Sequence, residues 1–270
     1  MKLNRYREAF YSLFRRNKIS FIVFNVIGEP NQSMFIKVVS NFILSGIVAL
    51  ELGIPFSDPL ADGPIIQRTA FRVINIGIKS FNCFKSLSFI RHRFPYIPIG
   101  LLMYSNLAFN FGIRIFCSYC SYIKTDSIII VDMPLEESRW VYKYFVLYLL
   151  YFIYICPPLT SLRLLKKIVL CSSLYIYLLS KLGITGIETN LKLPLVNSVK
   201  GLGYYYSVPI LQGFGIFSYI QVVGLLKNNI SGIIAGSAVI NIIENNIYNS
   251  FHMLYLIYML LVKLSIYGFS

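Results

Sequence analysis

Three carboxylates fall within twelve residues of a chain that has few of them. Glu51, Asp58 and Asp62 lie in Glu51-Leu-Gly-Ile-Pro-Phe-Ser-Asp58-Pro-Leu-Ala-Asp62-Gly-Pro64, against 11 Asp and Glu among 270 residues. Glu51 ends the apolar run Ile47–Glu51 and is placed to close a strand. A carboxylate buried there is costly unless it has a partner or a task. Desolvation raises its pKa toward neutrality, which suits a general acid/base. Asp62 lies on a loop shaped by Gly53, Pro55, Pro59 and Gly63, which can fold over the same site. The structural alternative is that Glu51 pairs with a basic residue and that Asp58 or Asp62 caps the next helix.

A second set of residues could hold an anion. Ile184-Thr-Gly186, Gly213-Phe-Gly215 and Ala235-Gly236-Ser237 each follow an apolar run. Glycines let backbone approach a ligand closely. A helix starting near Ser237 would aim free N–H groups at a negative group.

Other chemistry finds little support. Cys117-Ser-Tyr-Cys120 is a lone CxxC, and the only histidines, His92 and His252, are isolated. A zinc site needs more ligands than that, so we expect no metal. Five cysteines and an N-terminus with six basic residues and no apolar stretch imply reduced thiols, no secretory signal and a cytoplasmic protein. The formal charge of +14 is scattered rather than gathered in a stripe or module, so we expect no nucleic-acid partner.

These residues need a frame. Eight short apolar runs alternate with helix-length stretches: Phe21–Ile27, Ile47–Glu51, Ile97–Tyr104, Ser127–Val131, Phe152–Cys156, Leu174–Leu179, Pro209–Gln212 and Gly232–Ala235. Parallel strands buried on both faces read as continuous apolar runs. Strand–helix alternation predicts a parallel sheet. Eight repeats in a chain near the roughly 250 residues usual for the fold predict an α/β (β/α)₈ TIM barrel. We read one domain over residues 1–270 with a short N-terminal helix. An open doubly wound sheet would need a Gly-x-Gly-x-x-Gly after the first strand, and none follows. Mean hydropathy is +0.65, which raises a membrane reading. Tyr144–Ile155 is short for a span of about 20 residues, however, and Met253–Tyr267 is interrupted by Lys263, so we expect no membrane span.

Six blocks carry a specific resemblance. ELGIPFSDPLADGPIIQ from Glu51, IPIGLLMYSN from Ile97, DSIIIVDMPLEES from Asp126, YLLSKLGITG from Tyr177, LQGFGI from Leu211 and GIIAGSAVINIIE from Gly232 resemble tryptophan synthase alpha subunits, in family order and spacing. The likeness runs from about Arg5 to about Asn246. It is loose over 139–173 and 189–208, and absent from the last twenty or so residues. It implies a lyase of tryptophan biosynthesis that cleaves indole-3-glycerol phosphate to indole and glyceraldehyde 3-phosphate by a retro-aldol reaction, with no cofactor in this chain. By position, Glu51 matches the family's acid/base residue and Asp62 the carboxylate that hydrogen-bonds the indole N–H. Phe24, Leu102, Tyr104, Ile128 and Tyr177 match the indole wall. Gly186, Phe214, Gly215, Gly236 and Ser237 match the phosphate site, and Thr185 matches the mobile sixth loop.

The resemblance also implies a pyridoxal-phosphate beta subunit as partner, in an alpha2beta2 heterotetramer, with Asp58, Asn106 and Pro134 on the contact face. Val26 stands where the family usually has threonine, Glu29 where it has aspartate, and Lys181 where it has arginine. Aromatic Tyr142, Tyr144, Phe145 and Tyr151 replace usually polar positions and predict a sticky surface. The rival reading is a scaffold that has lost its chemistry and serves only to activate or stabilise the beta subunit. Intact Glu51 and Asp62 argue against it.

Overall fold

The structure, a computed structural model, is described over residues 4–15, 20–157, 160–179, 208–213 and 230–266. The expected site residues Thr185, Gly186, Phe214 and Gly215, and the variant position Lys181, lie outside the described residues.

Strands and helices alternate in chain order. Helix α1 (Arg5–Phe14) precedes β1 (Ser20–Val26), α2 (Gln32–Leu44), β2 (Ala49–Gly53), α3 (Pro64–Asn75), α4 (Ser80–Arg93) and β3 (Ile99–Met103). Then come α5 (Ser105–Phe111), α6 (Ile113–Tyr122), β4 (Ser127–Ile130), α7 (Ser138–Leu147), β5 (Tyr151–Phe152), β6 (Ile155–Cys156) and α8 (Leu162–Cys171). The chain continues with β7 (Ile176–Leu179), β8 (Ile210–Gly213), β9 (Gly232–Ala235), α9 (Ser237–Asn245) and α10 (Ser250–Ile266).

All pairings are parallel, in the order β5-β4-β3-β2-β1-β9-β8-β7-β6. The two ends of that order are two halves of one segment. Tyr151 and Ile153 donate backbone N–H groups to Asp126 and Ile128, while Tyr154 accepts from Tyr177. The expected fifth strand, Phe152–Cys156, therefore joins both edges and closes the (β/α)₈ barrel.

The alternation of strand side chains splits the core in two. One cluster lies inside the barrel and includes Ile22, Phe24, Val26, Ala49, Leu102, Ile129, Ile153, Tyr175, Tyr177, Leu211 and Ile234. The other lies between strands and helices and includes Val23, Leu50, Leu52, Leu101, Ile128, Ile130, Phe152, Ile176 and Ile233. Helix α1 closes the N-terminal end of the barrel. Its Tyr6 and Phe10 pack on Tyr175, and its Arg5 pairs with buried Asp126 at 2.8 Å.

Two expectations need correction. Ile128 belongs to the outer cluster, so its neighbour Ile129 is the inward residue of β4. Of the four aromatic positions expected to make the surface sticky, Phe145 is buried, Tyr151 lies on the inward face of β5 and Tyr144 is half-buried against the outer cluster, which leaves Tyr142 exposed. No helix among the described residues is long and apolar enough to cross a membrane.

Candidate active site

Strand β2 carries Glu51 into the barrel because Ala49, two residues earlier, faces the same way. Phe24 of β1 and Gly100 of β3 flank it in register. Glu51 is fully buried. Tyr175, just before β7, donates its hydroxyl to Oε1 at 2.5 Å, and Oε2 has no partner among the described residues. Burial pushes the Glu51 carboxyl up to about 8, partly offset by the Tyr175 hydrogen bond.

Asp62 sits at the base of the loop between β2 and α3. Its N–H donates to Pro59 O at 3.0 Å, and its own carbonyl accepts from Gln67 Nε2 at 2.8 Å. Tyr104, which follows β3, donates its hydroxyl to Asp62 Oδ2 at 3.0 Å and accepts from Ala61 N–H at 3.1 Å. The Tyr104 ring stacks on Phe56 of the same loop, at 5.0 Å between centroids. Burial pushes the Asp62 carboxyl up to about 6, again moderated by its tyrosine. Helix α3 starts with Pro64 and has no side-chain cap, so neither Asp58 nor Asp62 serves as one.

The other buried carboxylates behave differently. Asp126 pairs with both Arg5 and Arg91 and also accepts from Ile99 N–H. Glu29 accepts two bonds from Arg72, at 2.7 and 3.2 Å. Among the described residues, Glu51 and Asp62 are the buried carboxylates held by tyrosine hydroxyls without a cation. Neither structural role weighed for them from sequence, the salt bridge or the cap, is found among the described residues.

Asp62 lines a pocket together with Phe24, Ile66, Leu102, Tyr177, Ile234, Gly236 and Ser237, and Glu51 lies outside that lining. Burial, and after it the Glu51 and Asp62 carboxylates, push the Tyr177 hydroxyl well above its usual range. Gly213 makes room for the Tyr177 ring, because a β-carbon there would come within 2.2 Å of it. Gly236 caps α9, whose first turn starts at Ser237 on the pocket wall. The first N–H groups of a helix have no partner within it.

The pocket thus gathers Phe24, Leu102, Tyr177, Gly236 and Ser237 beside Asp62, with Glu51 on the barrel floor. Tyr104 reaches the site through Asp62, and Ile128 does not face it. Val26 joins the inner apolar cluster. Asp58 and Pro134 are exposed on the loops that follow β2 and β4, and Asn106 is exposed in the first turn of α5, after β3. Reading the sequence missed Tyr175, Ile66 and Ile234. Tyr175 stands two residues before Tyr177 on the same inward face, and that spacing was the available signal. Cys117 and Cys120 are buried on α6, and no metal-holding cluster occurs among the described residues.

A family model described as tryptophan synthase alpha chain matches residues 10–263. The chain belongs to the tryptophan synthase alpha chain family. It is 42% identical over 245 residues to the tryptophan synthase alpha chain of Enterobacter sp. (strain 638), covering 91% of each chain. It is 43% identical over 246 residues to that of Buchnera aphidicola subsp. Baizongia pistaciae, again covering 91% of each. Among solved structures, the tryptophan synthase alpha chain of Legionella pneumophila superposes with a TM-score of 0.84 at 26% identity, covering 99% of this chain and 98% of that one. A Mycobacterium tuberculosis tryptophan synthase chain reaches 0.87 at 21% identity with full coverage of both, a likeness of fold.

Proposed function

We propose that the chain works as one (β/α)₈ domain and cleaves indole-3-glycerol phosphate to indole and glyceraldehyde 3-phosphate, a carbon–carbon lyase reaction of cytoplasmic tryptophan biosynthesis. The observation that carries this reading is the state of Glu51. Its carboxyl is fully buried, burial pushes it up to about 8, and its Oε2 has no partner among the described residues while Tyr175 donates to Oε1.

The steps follow from that state. Protonated Glu51 gives its proton to indole C3, which places positive charge on the indole ring. Ionised Asp62 accepts the indole N–H and stabilises that charge. The Glu51 carboxylate then takes the proton of the side-chain hydroxyl as the C3–C bond breaks. Those bonding electrons return to the ring, which becomes indole, and the former hydroxyl carbon becomes the aldehyde. Glu51 ends protonated, as it began. Phe24, Leu102 and Tyr177 enclose the indole, and Tyr104 orients Asp62. The backbone N–H groups at Gly236 and Ser237 receive the phosphate, together with Gly186, Phe214 and Gly215. Thr185 acts on the Asp62 side of the site. No cofactor is needed in this chain.

The partner is a pyridoxal-phosphate beta subunit in an alpha2beta2 complex, docked over Asp58, Asn106 and Pro134. Exposed Leu60 on the loop after β2 and the stacked Phe109–Trp140 pair on α5 and α7 give that face apolar anchors. Indole release from indole-3-glycerol phosphate, assayed alone and with the beta subunit, tests the proposal. Release that rises with the partner supports it, and none in either case overturns it.

A further inference from the structure

We propose that Arg72 on α3 and Glu244 on α9 are positioning residues that aim the first turn of α9 into the pocket. Three of the pocket's walls stand on separate elements: Phe24 on β1, Ile66 on α3, and Gly236 and Ser237 at the start of α9. One cluster of charges ties those same elements together. Arg72 donates from Nη1 to Glu244 Oε1 at 2.7 Å, and from Nη2 and Nε to Glu29 Oε1 at 2.7 and 3.2 Å. Its Nη2 also donates to Thr69 Oγ1 at 2.9 Å. Arg68 donates to both Glu244 oxygens, at 2.8 and 3.0 Å. Glu29 lies on the turn that leaves β1 and is fully buried.

Glu244 gains nothing from its own helix. It stands in the last turn of α9, where the helix dipole opposes a negative charge. The Arg68 hydrogen bond nonetheless holds its carboxyl below the ordinary range, and Arg72 adds to that effect. The compensation therefore comes from α3. Arg72 uses all three guanidinium nitrogens, a span that the single ammonium of a lysine does not reproduce.

An anchor at one end of α9 reaches the other end because the helix is short. The buried side chains Val239, Ile240 and Ile243 make apolar contacts, which are non-directional. The bonds to Glu244 are directional and fix the tilt of the helix over the barrel. A helix of 9 residues spans about 14 Å and moves as a rod. A tilt that shifts Glu244 by about 1 Å shifts Ser237 by a similar amount, and a misplacement of that size can cost about a hundredfold. The start of α9 also has little slack, since a β-carbon on Gly236 would stand 3.0 Å from the Phe24 ring. Through Glu29, the same arginine references the tilt to β1.

The effect on binding rests on the reading that Gly236 and Ser237 receive the phosphate; the effect on the helix does not. The test therefore has two arms on the full chain. In the first, the amide signals of Gly236 and Ser237 are followed by NMR in the free protein. Arg72→Lys and Glu244→Gln should each move both signals, although neither residue lies in that turn. The double variant should move them no further than the larger single change. Unmoved signals, or shifts that simply add, overturn the proposal. In the second arm, calorimetric titration with the two products separates phosphate from indole. Affinity for glyceraldehyde 3-phosphate should fall about tenfold in either variant, while affinity for indole stays within about twofold. Equal losses for both ligands would mark a general loosening of the barrel and overturn the proposal, as would an unchanged affinity for the phosphate. Should Arg72→Lys fail to fold, Glu244→Gln, whose side chain is partly exposed, is read alone. Moved signals in variants of a parent that binds indole but no glyceraldehyde 3-phosphate would leave the cluster in its role and instead refute the phosphate reading.

Discussion

The buried Glu51 carboxyl makes stability depend on pH in a direction that can be worked out. In the unfolded chain it ionises near its ordinary value of 4.5, whereas in the fold burial moves it up to about 8. A raised acid loses stability as pH rises, because the unfolded state sheds the proton first. The penalty is absent below 4.5, grows between the two values and levels off above 8. One pKa unit is worth about 1.4 kcal/mol, so it amounts to about 2 kcal/mol at pH 6 and about 5 kcal/mol above pH 8. Glu51→Gln removes the titration while its amide oxygen still accepts from Tyr175. Urea unfolding of both proteins between pH 4.5 and 9 measures the difference, in which every other titrating group cancels. The variant should gain on the parent steadily with pH. A difference that stays flat across this range, or a parent that is the more stable at pH 8.5, would refute the reasoning.

Other outcomes follow from the same geometry. Cleavage should show a bell-shaped pH profile in kcat/KM, falling below about 6 as Asp62 gains a proton and above about 8 as Glu51 loses its own. Gly213→Ala should force the Tyr177 ring out of place and lower kcat/KM roughly tenfold or more in steady-state assays. Asp126→Ala leaves Arg5 and Arg91 buried without their shared partner, and urea unfolding should show a loss of about 3–5 kcal/mol.

Much of the frame was legible in the sequence because parallel barrel strands are buried on both faces and read as apolar runs. The same property hid which face each residue takes. Ser127–Ile130 has no polar alternation after its first residue, so Ile128 and Ile129 could not be told apart, and the neighbouring clusters decide between them. Strand ends shifted where pairing outlasts the apolar run. Strand β2 continues past Glu51 to Gly53 because Gly53 still pairs with Val26 and Leu102. Glu51 and Asp62 stood out because acids are rare here, and the structure buries both. The pairing of Arg72 with Glu244 could not be found this way. The two lie 172 residues apart in sequence and meet only when α9 packs on α3.

The most direct test of the account is indole release from indole-3-glycerol phosphate by the parent chain and Glu51→Gln, each in complex with the beta subunit. The account predicts release by the parent and a loss of at least about a hundredfold in the variant, with complex formation unchanged. Near-parental release by a folded Glu51→Gln complex would contradict it.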